Sequence, residues 1–131
     1  MEISLKRAYD KPAESDGYRV LVDRLWPRGV SKDHLRLDLW AKGVSPSTAL
    51  RQWFGHDPKR WLEFTKRYKV ELKEPEARQA VAEIVDAAGR SSVITLIYGA
   101  KDTEHNEAVV LRGILKRRFR PKKPVARKAK P

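Results

Sequence analysis

Apolar and polar positions alternate at the start of this chain, recur every three or four residues in its middle, and merge into one apolar run near residue 95. Ile3 and Leu5 against Glu2, Ser4 and Lys6 predict a strand over 2–6. Asp10, Pro12, Ser15, Asp16 and Gly17 then mark a loop, and Val20-Leu21-Val22 a second short strand. Trp26-Pro27-Arg28-Gly29 suits a type I turn, with Pro27 second and Gly29 fourth. Alternation over 35–40 predicts a third strand, with room for one helical turn between Ser31 and Leu35.

The middle reads as helix. Ser45-Pro46 offers a cap and a first-turn proline, and Gly55 a stop; Asp57-Pro58 repeats the start signal. Trp61, Phe64, Tyr68 and Leu72 then form one stripe. Pro75 opens a further helix with Ala77, Val81, Ile84, Val85 and Ala88 on one face, ending at Gly89. Val93 to Tyr98 predicts the last strand, and a final helix is expected over about 103–118 with Val110, Leu111, Ile114 and Leu115 buried. Strands interleaved with helices predict an α/β fold. The expected sheet is small and mostly parallel, of about four strands with flanking helices. The helical segment 46–88, between the third and last strands, exceeds one crossover and should wall one side of a site.

Charge divides the chain in two. Of 29 Lys/Arg, nine fall between Lys116 and Pro131, where there is no Asp or Glu. Residues 1–115 hold 20 basic and 17 acidic groups, a net of only +3. The expected organisation is one α/β domain over 1–118 and a Lys/Arg/Pro-rich tail over 119–131, predicted to be disordered. Arg117, Arg118, Arg120, Lys122, Lys123, Arg127, Lys128 and Lys130 are candidates for non-specific nucleic-acid phosphate contacts; a solvated terminus without a partner is the alternative. The absence of cysteine excludes disulfides, thiolate zinc sites and a Cys nucleophile. No apolar run approaches a membrane span, and the first residues lack signal-peptide anatomy, so a cytoplasmic protein without a membrane partner is expected.

The candidate chemistry sits where two strands run into polar loops, the position at which open α/β sheets bind ligands. After the second strand come Asp23, Arg24 and Arg28, with Arg19 as a further member; two arginines beside a turn can hold a phosphate or carboxylate. The competing account is an Asp23–Arg pair that pins the loop, with Trp26 as a core plug. After the last strand come Asp102, Glu104, His105 and Asn106. Helix capping by Asp102 or Thr103 and the macrodipole explain Asp102, Glu104 and Glu107, but give His105 and Asn106 nothing comparable. Acid–base work by His105, Glu104 and Asp102, with Asn106 and Asp23 orienting the ligand, is the alternative. No nucleotide-binding glycine loop, nucleophile elbow or paired-histidine metal motif occurs, and no metal or particular cofactor is implied. His56 reads as a connector, and Trp53 and Trp61 as core. The partner expected at this edge is an anionic small molecule or nucleotide, bound or turned over. The rival function is a nucleic-acid-associated module acting through the tail.

These segments also carry a family resemblance. Gly17-Tyr18-Arg19-Val20-Leu21-Val22-Asp23-Arg24-Leu25-Trp26-Pro27-Arg28-Gly29, Trp53-Phe54-Gly55-His56-Asp57-Pro58 and Glu104-His105-Asn106 resemble the YeaO-like family of small bacterial and archaeal proteins, over about residues 3–115. The resemblance implies a compact α/β domain and leaves the chemistry open.

Overall fold

The structure, a computed structural model, describes residues 1–119. Arg120, Lys122, Lys123, Arg127, Lys128 and Lys130 of the predicted tail lie outside the described residues. Four strands, β1 (Glu2–Arg7), β2 (Tyr18–Leu21), β3 (Leu39–Trp40) and β4 (Val93–Tyr98), form one sheet in the order β1-β4-β2-β3. Every pairing is parallel. β4 is central: Ile94 and Leu96 lie beside Ile3 and Leu5 on one side, and Leu96 and Ile97 beside Val20 and Leu21 on the other. All of β4 after Val93 is buried, as expected for a continuous apolar run in a parallel sheet.

Five helices follow in chain order: α1 (Lys32–Leu35), α2 (Thr48–Phe54), α3 (Trp61–Glu71), α4 (Pro75–Ala88) and α5 (Glu107–Phe119). The two faces of the sheet are covered unequally. Ile94, Leu96, Val20 and Ile3 face the main core, which α2 to α5 close with Phe54, Phe64, Tyr68, Ile84, Leu111 and Leu115. Leu21 and Ile97 point the other way, where Leu35, Trp26 and Trp40 cover them. That second face is thus roofed by the connection between β2 and β3 and the single turn of α1.

Local signals differ from the sequence reading in four places. Only Leu39 and Trp40 of the expected third strand pair, because α1 uses Leu35 and Arg36 turns into the left-handed region at φ 48°. The turn runs from Pro27 to Val30, closed by the Val30 N–H on Pro27 O at 3.3 Å, with Gly29 third at φ 79°. A positive φ at that position is what a type II turn requires of glycine. α2 is capped by Ser47, whose Oγ accepts from Leu50 N–H, while Ser45 turns inward to donate to Val22 O. α5 starts at Glu107, later than expected, and includes Phe119.

Toward the amino side a buried ion cluster fastens the strands. Asp16 (6% exposed) pairs with Arg19 of β2 (4% exposed) and with Lys6 of β1. Thr95 of β4 donates to the Asp16 carbonyl, and Arg19 also donates to Leu35 O. Burial alone would raise the Asp16 pKa, but bonds from Lys6, the Ala13 amide and Arg19 hold it below the ordinary range. Arg19 is therefore a structural residue, not a member of the carboxyl-edge site.

Candidate functional site at the carboxyl edge

β2 and β4 are neighbours, yet the chain leaves them toward opposite faces: residues after β2 roof the Leu21–Ile97 face, and α5 returns over the main core. Where two such connections part, a crevice opens at the carboxyl ends of the strands. A cavity of about 210 Å³ lies there.

Its floor joins the two loops. Asp23 accepts the Gly99 N–H at 2.8 Å through Oδ2, and its own carbonyl accepts the Trp40 indole N–H at 2.8 Å. A Cβ on Gly99 would stand 3.0 Å from Asp23 Oδ2, so glycine permits this approach. Glu107, the first residue of α5, brings its carboxyl into hydrogen-bonding contact with that of Asp23. Burial first, and then Asp23, hold the Glu107 carboxyl well above the ordinary glutamate range; Arg51 offsets this only in part. Two carboxyls in contact favour one shared proton, which makes the pair at once donor and acceptor.

A second polar group stands beside the floor. Asp102 Oδ1 accepts from the N–H groups of Glu104 and His105, and Oδ2 lies 2.9 Å from His105 Nδ1. Those bonds, the Glu104 amide first and the His105 ring next, lower the Asp102 pKa. With Nδ1 engaged, Nε2 is the ring nitrogen left for a ligand. The His105 ring meets Trp61 edge-on at 5.3 Å between centroids. Asn106, 2% exposed, is the cap of α5: its Oδ1 accepts from Ala108 and Val109 N–H, and its amide donates to Asp102 O. Capping thus belongs to Asn106, while Asp102 shapes the bend before it.

Part of the lining is aromatic. Phe54 and Phe64 stack at 4.3 Å between centroids, and both line the cavity. His56 lines it as well, held at φ 58° after Gly55 at φ 53°. Positive φ is uncommon for a residue with a Cβ, and such conformations concentrate at functional sites. Arg24 and Arg51 also line the cavity, are exposed, and have no ion-pair partner within 4 Å among the described residues.

Of the residues singled out from sequence, Asp23, Arg24, His105 and Asn106 line this cavity. Asp102 stands behind His105. Arg28 and Glu104 are exposed and lie outside the lining, Arg28 in the turn that roofs the second face. No ion pair between Asp23 and an arginine forms among the described residues; Asp23 faces Gly99 and Glu107 instead. The sequence reading missed Arg51, His56 and Glu107. Only the adjacency of His56 to Gly55 and the Asp57-Pro58 start signal hinted that the chain turns sharply there.

Parallel sheet, unequal helical cover and a carboxyl-edge cleft define an α/β protein with a candidate ligand cavity at that edge. The chain belongs to the family described as the inactive DUF488-N3 subclade, whose model matches residues 2–131. It is 45% identical over 111 residues to "Uncharacterized protein YeaO" of Escherichia coli (strain K12), covering 85% of this chain and 94% of that protein. It is 40% identical over 113 residues to "Uncharacterized protein Mb3100c" of Mycobacterium bovis (strain ATCC BAA-935 / AF2122/97), covering 86% and 92%. "Uncharacterized protein Rv3073c" of Mycobacterium tuberculosis (strain ATCC 25618 / H37Rv) matches to the same extent. No solved structure gives a significant match.

Proposed function

We propose that the carboxyl-edge cleft binds a small anionic molecule bearing a flat ring, of the nucleotide type, and recognises it without turning it over. One observation carries the reading: a single cavity joins a stacked aromatic wall, a carboxyl pair and two arginines without ion-pair partners among the described residues. At about 210 Å³ it is smaller than the ~300–1,000 Å³ of sites for drug-sized ligands. It suits one ring, with the anionic group left at the rim beside Arg24 and Arg51. The Asp23–Glu107 pair offers both a donor and an acceptor to the edge of such a ring. His105, oriented by Asp102, supplies a further hydrogen bond. The family's description as inactive weighs toward recognition over catalysis.

The test is calorimetric titration of the full chain with nucleoside monophosphates and with the matching nucleosides. Binding of a nucleotide should weaken roughly 10-fold or more in Arg51→Gln and in Arg24→Gln, since a hydrogen bond to a charged group contributes about 1.5–3 kcal/mol. The nucleoside should lose affinity similarly and be indifferent to both substitutions. No detectable heat with any nucleotide, or affinities unmoved by the arginine changes, would overturn the reading.

A further inference from the structure

Away from the cleft, the outer side of the helical layer carries a second concavity of about 260 Å³. Lys69 reaches it from the end of α3, Lys73 from the turn that follows, Arg78 from the start of α4, and Arg117 and Arg118 from the last turn of α5. Leu72, Val81 and Ile114 form its apolar lining. None of the five cations has an ion-pair partner within 4 Å among the described residues.

Complementing helix dipoles explains some of these charges one at a time, since Lys69, Arg117 and Arg118 lie in final turns, where a cation is favoured. It does not explain Arg78, the fourth residue of α4, which sits near the positive end of that helix. Nor does it explain why three helices bring like charges to one depression, an arrangement that costs repulsion unless an anion fills it.

We propose that this groove binds the sugar-phosphate backbone of single-stranded nucleic acid. Five cations spread over three helix ends suit successive phosphates along a strand better than one isolated phosphate. No aromatic side chain among the described residues lines the groove, so recognition rests on phosphate contacts, which carry no sequence information. In sequence, α5 is followed by six further Lys/Arg from Arg120 to Lys130, which lie outside the described residues.

The experiment is fluorescence anisotropy of a labelled oligothymidylate with the full chain across a salt series. Two variants are compared: Lys73→Gln with Arg78→Gln and Arg117→Gln, and a full-length chain with the six Lys/Arg after Phe119 changed to glutamine. Circular dichroism and thermal melting establish that each is folded. The groove variant should bind at least about 10-fold more weakly, and its log–log salt slope should flatten by about 2, as expected when three phosphate contacts on a single strand are lost. An unchanged affinity and slope in the groove variant, with binding abolished in the other, would assign the interaction to the terminal segment and overturn the proposal. Absence of binding at low salt in the unaltered chain, or binding to anionic vesicles alone, would overturn it equally. Because the substituted residues lie outside the carboxyl-edge cleft, either proposal can fail without the other.

Discussion

The sheet carries acidic groups on both its amino and its carboxyl side, and the fold treats them in opposite ways. Asp16 is met by Lys6 and Arg19, its backbone by Thr95, and its carboxyl stays ionised well into acid. Asp23 and Glu107 are met chiefly by each other, with Arg51 exposed nearby. A buried charge with its counter-charges in place needs nothing more from solvent or ligand. A carboxyl pair lining an open cavity leaves hydrogen-bonding capacity unspent. The difference separates the residues that hold the strands together from those that line the cavity.

The sharpest break in that comparison is Asp16→Ala, which strands the Arg19 guanidinium in the core. A loss of about 3–5 kcal/mol is expected, as for other buried pairs deprived of one member, and urea denaturation would read it. A loss under about 1 kcal/mol would place Asp16 with ordinary surface pairs.

Proton linkage gives a signed version of the contrast. The raised Glu107 pKa means that the folded state holds that proton more tightly than the unfolded chain, whose ordinary value is 4.5. Its contribution is complete below that value and is lost as pH rises through the folded pKa. Asp16 behaves in the reverse sense: its contribution is complete above 3.8 and disappears as pH falls through its lowered folded value. Melting curves from about pH 3 to about pH 8 should therefore show Glu107→Gln gaining on the unaltered protein as pH rises. Asp16→Asn should show its largest deficit near neutrality and a smaller one in strong acid. Parallel curves for Glu107→Gln and the unaltered chain would mean that the two carboxyls are not in contact.

A smaller effect belongs to Asn106→Ala, which removes the cap from α5 and should cost about 1 kcal/mol. Asp102→Ala should lower the melting temperature by less, about 2 °C or ~0.5 kcal/mol, since the half-buried bend that Asp102 closes does not continue as helix. If the Asp102 change were the more damaging, the capping role would have to pass back from Asn106 to Asp102.

Much of the fold was readable from pattern because a strand like Val93–Tyr98 and a stripe like Trp61, Phe64 and Tyr68 state their periodicity locally. The third strand was overread: Leu35 and Leu37 alternate with polar neighbours as strand residues do, but both cover the second face from a helical turn and its exit. The start of α5 was misread because Asp102 makes the hydrogen bonds of a cap to a bend that does not continue as helix. In the cleft, Asp23, Arg24, His105 and Asn106 stood out as polar residues just past strands. Glu107 did not, because an acid in a first helical turn has a sufficient local explanation; its contact with Asp23 exists only once β2 and β4 are side by side. Arg51 and His56 enter the lining from a helix face and a left-handed turn, and no periodicity announces either.

One consequence follows from the Asp16 cluster. It clasps β1, β2 and β4 through side chains none of which lines the cavity, so the assembly of the scaffold is decided by residues other than those at its mouth. Arg24, Arg51 and His56 are consequently exchangeable parts. A lineage built on this frame can alter those residues and still inherit a sound scaffold.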